Sequence, residues 1–194
     1  MASWNAIPPV TPAVSANYPA VAASARRDPD AYARAFAAEL FTRDYRHSTL
    51  AQLIGWVQYE DSPLQSPNYP KADWTKVLVD SLTDLTWDQA LETPIPAQGE
   101  WLALRSEQAW QTVTDLKVVT DPVWEQQIAG GYQPPDALAT VRDVSFTVVQ
   151  RTTVSGHVRV ARFAVSLALQ LGTSARGGGY GTAVTNNYVI KEIG

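Results

Sequence analysis

The sequence predicts an α+β domain in which N-terminal helices pack on a curved antiparallel sheet. Three observations carry that prediction. Apolar residues recur at helical spacing through the first half, and the last third alternates with period two around a Ser155-Gly156 turn. Helices come first and strands last, which is the order of α+β folds rather than of βαβ units. The chain has 194 residues, 45% of them hydrophobic and 18% charged. That is enough to bury one core, and the composition is not that of a disordered acidic chain.

Residues 1–27 read as a Pro/Ala-rich disordered tether, because Pro8, Pro9, Pro12 and Pro19 interrupt any period and acidic residues are missing. A single domain over 28–194 follows. Its first helix opens at Asp28-Pro29-Asp30, a cap, a first-turn proline and a charge that suits the N-terminal dipole. Tyr32, Phe36 and Leu40 line its inner face. The cluster Arg43-Asp44-Tyr45-Arg46-His47 reads as the C-terminal end of this helix. Ser48 is the expected cap of a second helix through Leu50, Leu53, Ile54 and Val57, and Gly55 within it implies close packing against a neighbour.

Ser62 to Pro70 reads as a loop, and Asp73 as the cap of a third helix carrying Trp74, Val77, Leu78, Leu82 and Leu85. Trp101 to Gln108 fits a strand or a helix. Trp110 to Thr120 reads as a strand because β-branched residues dominate it. Asp121-Pro122 starts a short turn or helix. Thr140 to Val154 and His157 to Leu171 form a long hairpin that has to bend or bulge. Gly177 to Gly181 is a loop, and Tyr188 to Ile193 is a final strand.

Composition narrows the chemistry. There are no cysteines, which excludes disulfides, zinc fingers and thiolate nucleophiles, and His47 and His157 alone could supply imidazole. A net charge of −4 and a pI near 5.1 argue against nucleic acid as the main partner. No apolar run reaches the length of a membrane span and no signal peptide opens the chain. The opening Met-Ala-Ser suits a truncation that removed an anchor. Charge is polarised: thirteen carboxylates face four cations between Glu60 and Asp136, whereas six cations face two carboxylates from residue 137 onward. Such polarity suits ordered self-assembly or docking, as well as two differently charged solvated surfaces.

The search for reaction chemistry returns little. Gly177-Gly178-Gly179 follows a strand, but no Lys-Ser/Thr and no helix start come after it, so a phosphate cradle is not expected. Ser155-Gly156-His157 reads as a turn rather than a nucleophile and base, because extended neighbours point apart. Glu60-Asp61 is a paired carboxylate before a proline-rich loop, a weak calcium option. Asp44, Tyr45 and Tyr59 are the pocket residues if the domain is a small-molecule enzyme, and no catalytic, cofactor or metal residue is otherwise expected. Seven tryptophans and eight tyrosines are the unusual feature. Most read as core, while Tyr59, Tyr69 and Trp87 flank loops and are the candidate interaction anchors.

The phrase Tyr32-Ala33-Arg34-Ala35-Phe36-Ala37-Ala38-Glu39-Leu40-Phe41-Thr42-Arg43-Asp44-Tyr45 and the ending Asn187-Tyr188-Val189-Ile190-Lys191-Glu192-Ile193, with the order of elements between them, carry a resemblance. Over about residues 28–193 the chain resembles the extracytoplasmic domains of Gram-positive, especially actinobacterial, conjugation proteins of the TcpC-like class. These are similar to the VirB-type inner-membrane core component of type IV secretion. The resemblance implies a cone-shaped, nuclear-transport-factor-two-like fold and a non-catalytic scaffold of a DNA-transfer channel. It also implies a membrane anchor outside this chain, partners that are other copies and other channel proteins, and a location on the outer side of the cell membrane. The alternative is an isomerase- or hydratase-type enzyme on the same cone.

Overall fold

The computed structural model describes residues 10–63, 74–83 and 93–194, and of residues 74 and 75 the backbone alone. It is an α+β fold. A single turn of 3-10 helix (Ala25–Arg27) leads into α1 (Pro29–Phe41), β1 (Arg43–Asp44), α2 (Leu50–Tyr59), α3 (Trp74–Ser81) and α4 (Gln98–Ser106). β2 (Trp110–Thr120), α5 (Pro122–Ala129), β3 (Thr140–Val154), β4 (His157–Thr173) and β5 (Tyr180–Glu192) follow. The strands form one antiparallel five-stranded sheet in the order β1-β2-β3-β4-β5, strongly curled into a half-barrel.

Local signals explain several of these boundaries. Asp28 accepts the Ala31 N–H at 2.8 Å, with Pro29 in the first turn of α1, as expected. The cap of α2 is Thr49 rather than Ser48. Thr49 and Gln52 exchange side-chain and backbone hydrogen bonds in a capping box, while the Ser48 hydroxyl donates to the Asp44 carbonyl at 2.6 Å. The segment left open between strand and helix is α4. Helix α1 ends at Phe41, so Arg43 and Asp44 are not its last turn but pair with Gln111 and Trp110 as β1. The final strand begins at Tyr180, eight residues before the expected Tyr188. The expected cap Asp73, the loop residues 64–70 and Leu85 lie outside the described residues.

The curl has identifiable causes. In β2 the register shifts between Thr114 and Lys117, and Asp115 has φ 56°. The bulge resets the alternation, so Val113 and Val118 both reach the core although five positions apart. Two further shifts fall between β4 and β5, at Ala168/Leu169 and Gln170/Leu171. The β3–β4 turn is the tight two-residue one expected, with Ser155 and Gly156 at φ 52° and 78°, the positive values that match the twist of the flanking strands.

The concave face holds the core. Val144, Phe146, Val148, Phe163, Val165, Leu167 and Leu169 point inward against Tyr32, Phe36, Leu40, Ile54 and Trp56, all buried. Phe36 stacks on Trp56 at 5.1 Å, and Phe41 meets Phe146 edge-on at 5.0 Å. On the opposite, convex face Val119, Val158, Val160 and Val189 are exposed.

The part of the expected tether that the structure describes is packed. Tyr18 is 1% exposed with its ring 6.2 Å from Trp56, and Val21 is also buried. The Trp56 indole N–H donates to the Pro19 carbonyl at 2.9 Å, and the Ala13 N–H donates to the Gly55 carbonyl at 2.9 Å. Gly55 is what lets this strap approach: a Cβ there would lie 3.2 Å from the Thr11 carbonyl oxygen. Proline-rich composition removes backbone donors and helical period, but it does not prevent an extended strap from burying its few large side chains. Tyr18→Ala is therefore expected to destabilise the domain by about 3–5 kcal/mol in urea unfolding, as for other buried aromatics. A free tether would show no change.

Candidate functional site

The structure holds three polar groupings, set apart from one another. The first is the rim of the concavity, where Phe41, Arg43, Tyr45, Glu100, Gln111 and Gln150 are among the residues around a cavity of about 20 Å³. That volume holds about one water. Arg43 is brought there by β1 and is buried. Its Nε donates to the Leu40 carbonyl at 2.8 Å, Nη2 donates to the Pro94 carbonyl, and Nη1 lies 3.4 Å from the Tyr45 hydroxyl. The guanidinium is thus committed to backbone carbonyls and ties the α1–β1 corner to the segment before α4. Burial pushes the Glu100 carboxyl up, and Arg43 draws it back. Gln111 Nε2 donates to Gln150 Oε1 at 2.6 Å, leaving Gln111 Oε1 buried without a partner among the described residues. These groups can hold a water.

The second grouping is the Arg43-to-His47 cluster. Asp44 ends β1 and Tyr45 opens the turn that follows, and their side chains diverge. Tyr45 is buried with its ring 4.7 Å from Trp101, whereas the Asp44 carboxylate is half exposed. Arg46 hydrogen-bonds that carboxylate at 2.8 and 2.6 Å, and His47 Nδ1 lies 3.1 Å from it. These partners, the Arg46 hydrogen bond first, hold Asp44 well below the usual carboxylate range. Arg46 in turn sits over the Trp110 ring at 5.0 Å. Tyr59, the third residue expected in a pocket, lies at the far end of α2 beneath the Arg176 guanidinium, 4.9 Å away. Asp44, Tyr45 and Tyr59 do not converge. As interaction anchors, Tyr59 is half-buried, and Tyr69 and Trp87 fall outside the described residues.

The third grouping is the Glu60-Asp61 pair, a dense polar junction among the described residues. Glu60 is fully buried. Its Oε2 accepts from Arg26 Nη2 at 2.5 Å and from the Tyr32 hydroxyl at 3.2 Å, and its Oε1 accepts the Val21 N–H at 3.0 Å. Both oxygens are occupied by protein donors, so the calcium option for this pair has no free ligand at Glu60. Arg26 also donates to the Val21 carbonyl, the Ser174 hydroxyl and the Tyr180 carbonyl. Gly179 allows this approach, since at φ 123° a Cβ would fall 2.0 Å from the Arg26 carbonyl oxygen.

Asp61 continues the junction. The Ser62 N–H donates to the Thr182 carbonyl at 2.9 Å, and the Thr182 N–H donates to the Glu60 carbonyl at 3.0 Å, a short parallel bridge that covers part of β5. The Asp61 side chain is buried, and its Oδ1 has no hydrogen-bond partner among the described residues. Burial pushes the Asp61 carboxyl up to about 7, against the opposing pull of the Ser62 N–H and Arg176. Nearby Asp136 goes the other way. Burial works to raise it, but the Thr173 N–H, the Leu138 N–H and the Thr173 hydroxyl outweigh that and hold it low. Sequence reasoning noticed Glu60-Asp61 but missed Arg26. The available signal was an arginine pair that ends a proline-rich stretch with no earlier charged residue.

Two stability measurements test this junction. The folded Asp61 binds a proton more tightly than the unfolded one, so stability falls as pH rises from about 4 to 7. Asp61→Asn removes that loss and is expected to stabilise the domain at pH 8 by roughly 2–4 kcal/mol, with little change at pH 4, by urea unfolding at both. Arg26→Met leaves the Glu60 charge buried and alone, an expected cost of about 3–5 kcal/mol at pH 7. Adding Glu60→Leu in the same chain is expected to recover most of it. No known protein family, curated protein or solved structure matches this chain.

Proposed function

We propose that this chain is a non-catalytic assembly domain of a conjugative DNA-transfer channel of the type IV secretion kind. In this reading it stands on the outer side of the cell membrane, held by a segment outside these residues, and contacts other copies and other channel proteins. The observation that carries the reading is the filled concavity. The hollow that an enzyme on a curled sheet would use is occupied by Phe36, Leu40, Phe41, Trp56 and Trp101, and the space at its rim is about 20 Å³. A ligand site needs roughly 300 Å³ or more and a few converging polar groups. The α+β order and curled sheet agree with the cone-like fold that the resemblance implies, and the nuclear-transport-factor-two-like identity belongs to this proposal.

The mechanism is positional. Stacked aromatics make a rigid block, and the convex face and the exposed connections supply the contacts. No carboxylate occurs between residues 144 and 191, and no lysine or arginine occurs between 118 and 141, so the surface that the sheet and its connection present is polarised rather than uniformly acidic. The test is a photo-crosslinking residue placed at Val123 or Val160 in living cells, combined with a plasmid-transfer assay. Adducts with the same chain or with channel proteins, and loss of transfer on deletion of the gene, are the expected results. Undiminished transfer without the gene overturns the reading.

A further inference from the structure

The two ends of the long β3–β4 hairpin carry opposite, exposed and partly apolar surfaces. At one end, α5 connects β2 to β3 and none of its residues is buried. Val123 is 58% exposed, Ile128 41% and Tyr132 49%, and the Tyr132 ring meets Trp124 edge-on at 5.8 Å. Val123, Trp124 and Ile128 fall within one half of the helix circumference, so the knob has an apolar side. The charges on its side of the sheet are negative: Asp121 at the helix cap, Glu125, and Asp143 on the neighbouring strand, while Arg142, opposite Thr120, lies on the other face and pairs with Asp30. Asp121 and Asp143 face each other, and the Asp143 carboxyl is raised by burial and then by Asp121. Two carboxylates held together in this way favour an incoming cation.

At the other end is the tip of the hairpin, beyond the pairing of Trp110 with Arg151. Val158 is 58% exposed and Val160 47%, and Ile193, which pairs with Arg162, is 54% exposed. By strand alternation Val158, Val160 and Arg162 share the convex face with Arg151 on β3. Arg159 and His157 lie on the opposite face of the tip, whose own residues carry no carboxylate, and Glu107 stands beside it, its carbonyl accepting the Thr153 N–H at 2.6 Å. From Arg142 to Val154 the strand spans about 40 Å, so the acidic knob and the basic tip cannot meet within one chain.

We infer that the α5 knob of one copy of this chain docks on the β3–β4 hairpin tip of another, an unlike-ends contact between identical chains. The inference rests on the assembly reading above and specifies its contact. Apolar side chains on both surfaces supply a core for the contact. Asp121, Glu125 and Asp143 against Arg151, Arg159 and Arg162 supply its direction, since like ends repel. An acidic knob of this kind is repelled by anionic lipid, which leaves a basic protein surface as the fitting occupant, and this chain carries one.

Complementation in sedimentation velocity tests the contact. The unmodified chain, from about 10 μM to 1 mM, is expected to gain mass with concentration, and less so at 500 mM salt than at 50 mM. A knob variant (Val123→Asp with Ile128→Asp) and a tip variant (Val158→Asp with Val160→Asp) are each expected to stay monomeric. Mixed, they form a one-to-one pair, because one intact knob and one intact tip remain. If an aspartate variant fails to fold, Glu125→Arg in one chain and Arg159→Glu with Arg162→Glu in the other carry the same test: each weakens self-association at least tenfold, and the mixture restores it. Variants that associate as the unmodified chain does overturn the knob-on-tip contact while leaving self-assembly intact. So does a mixture that stays monomeric. An unmodified chain that stays monomeric at 1 mM also overturns the contact, and adducts to other channel proteins in cells would then keep the assembly reading alive.

Discussion

A single buried ion pair, Arg26 with Glu60, joins parts of the chain that are otherwise remote. Arg26 comes from the N-terminal strap, Glu60 from the end of α2, Tyr32 from α1, and Ser174 and Tyr180 from the two sides of the β4–β5 loop. Burying two charges carries a large desolvation cost that Coulomb attraction alone does not always offset. Here nearly every donor and acceptor around the pair is used. The Val21 N–H and the Tyr32 hydroxyl complete Glu60, and two backbone carbonyls and the Ser174 hydroxyl complete Arg26. A satisfied network of this kind fixes one arrangement, because any alternative docking of the strap leaves a charge unpartnered.

With the strap locked down, the aromatic core follows. Tyr18, Trp56 and Phe36 form a row in which each ring supports the next, and this row backs the helical layer against the sheet. The sheet has to curl to receive so much volume, and its bulges at Asp115 and along β5 supply the curl. What is gained in packing is lost in cavity: a concavity that could enclose a ligand instead encloses side chains. The polar residues left at the rim, Arg43 above all, are occupied in holding corners together.

Elements whose boundaries are set by local chemistry were legible. Asp28-Pro29 opens α1, β-branched residues mark β2 over the expected span, and Ser155-Gly156 makes the hairpin turn. Elements set by distant partners were not. Thr49 caps α2 because Ser48 is already bonded to Asp44, a competition that neighbouring serine and threonine residues conceal. Tyr180 to Asn187 enters the sheet because β4 lies alongside and Asp61 pairs with Thr182, although three glycines before it signal a loop. Tyr18 and Arg26 are buried by contacts with residues tens to more than a hundred positions away. The candidate pocket of Asp44, Tyr45 and Tyr59 dissolved for a similar reason: closeness in composition did not become closeness in space.

The reach of the Arg26 contacts has a kinetic corollary. Arg26 leaves the ribosome early, yet Ser174 and Tyr180 are synthesised about 150 residues later. At some 5–20 residues per second, that interval is on the order of ten seconds. Until it ends, the nascent chain carries Tyr18, Phe36 and Trp56 without their sheet, a window in which a holding chaperone or sticking between growing chains competes with closure. The domain is therefore completed after translation of its last strands, by a join between its earliest and latest parts.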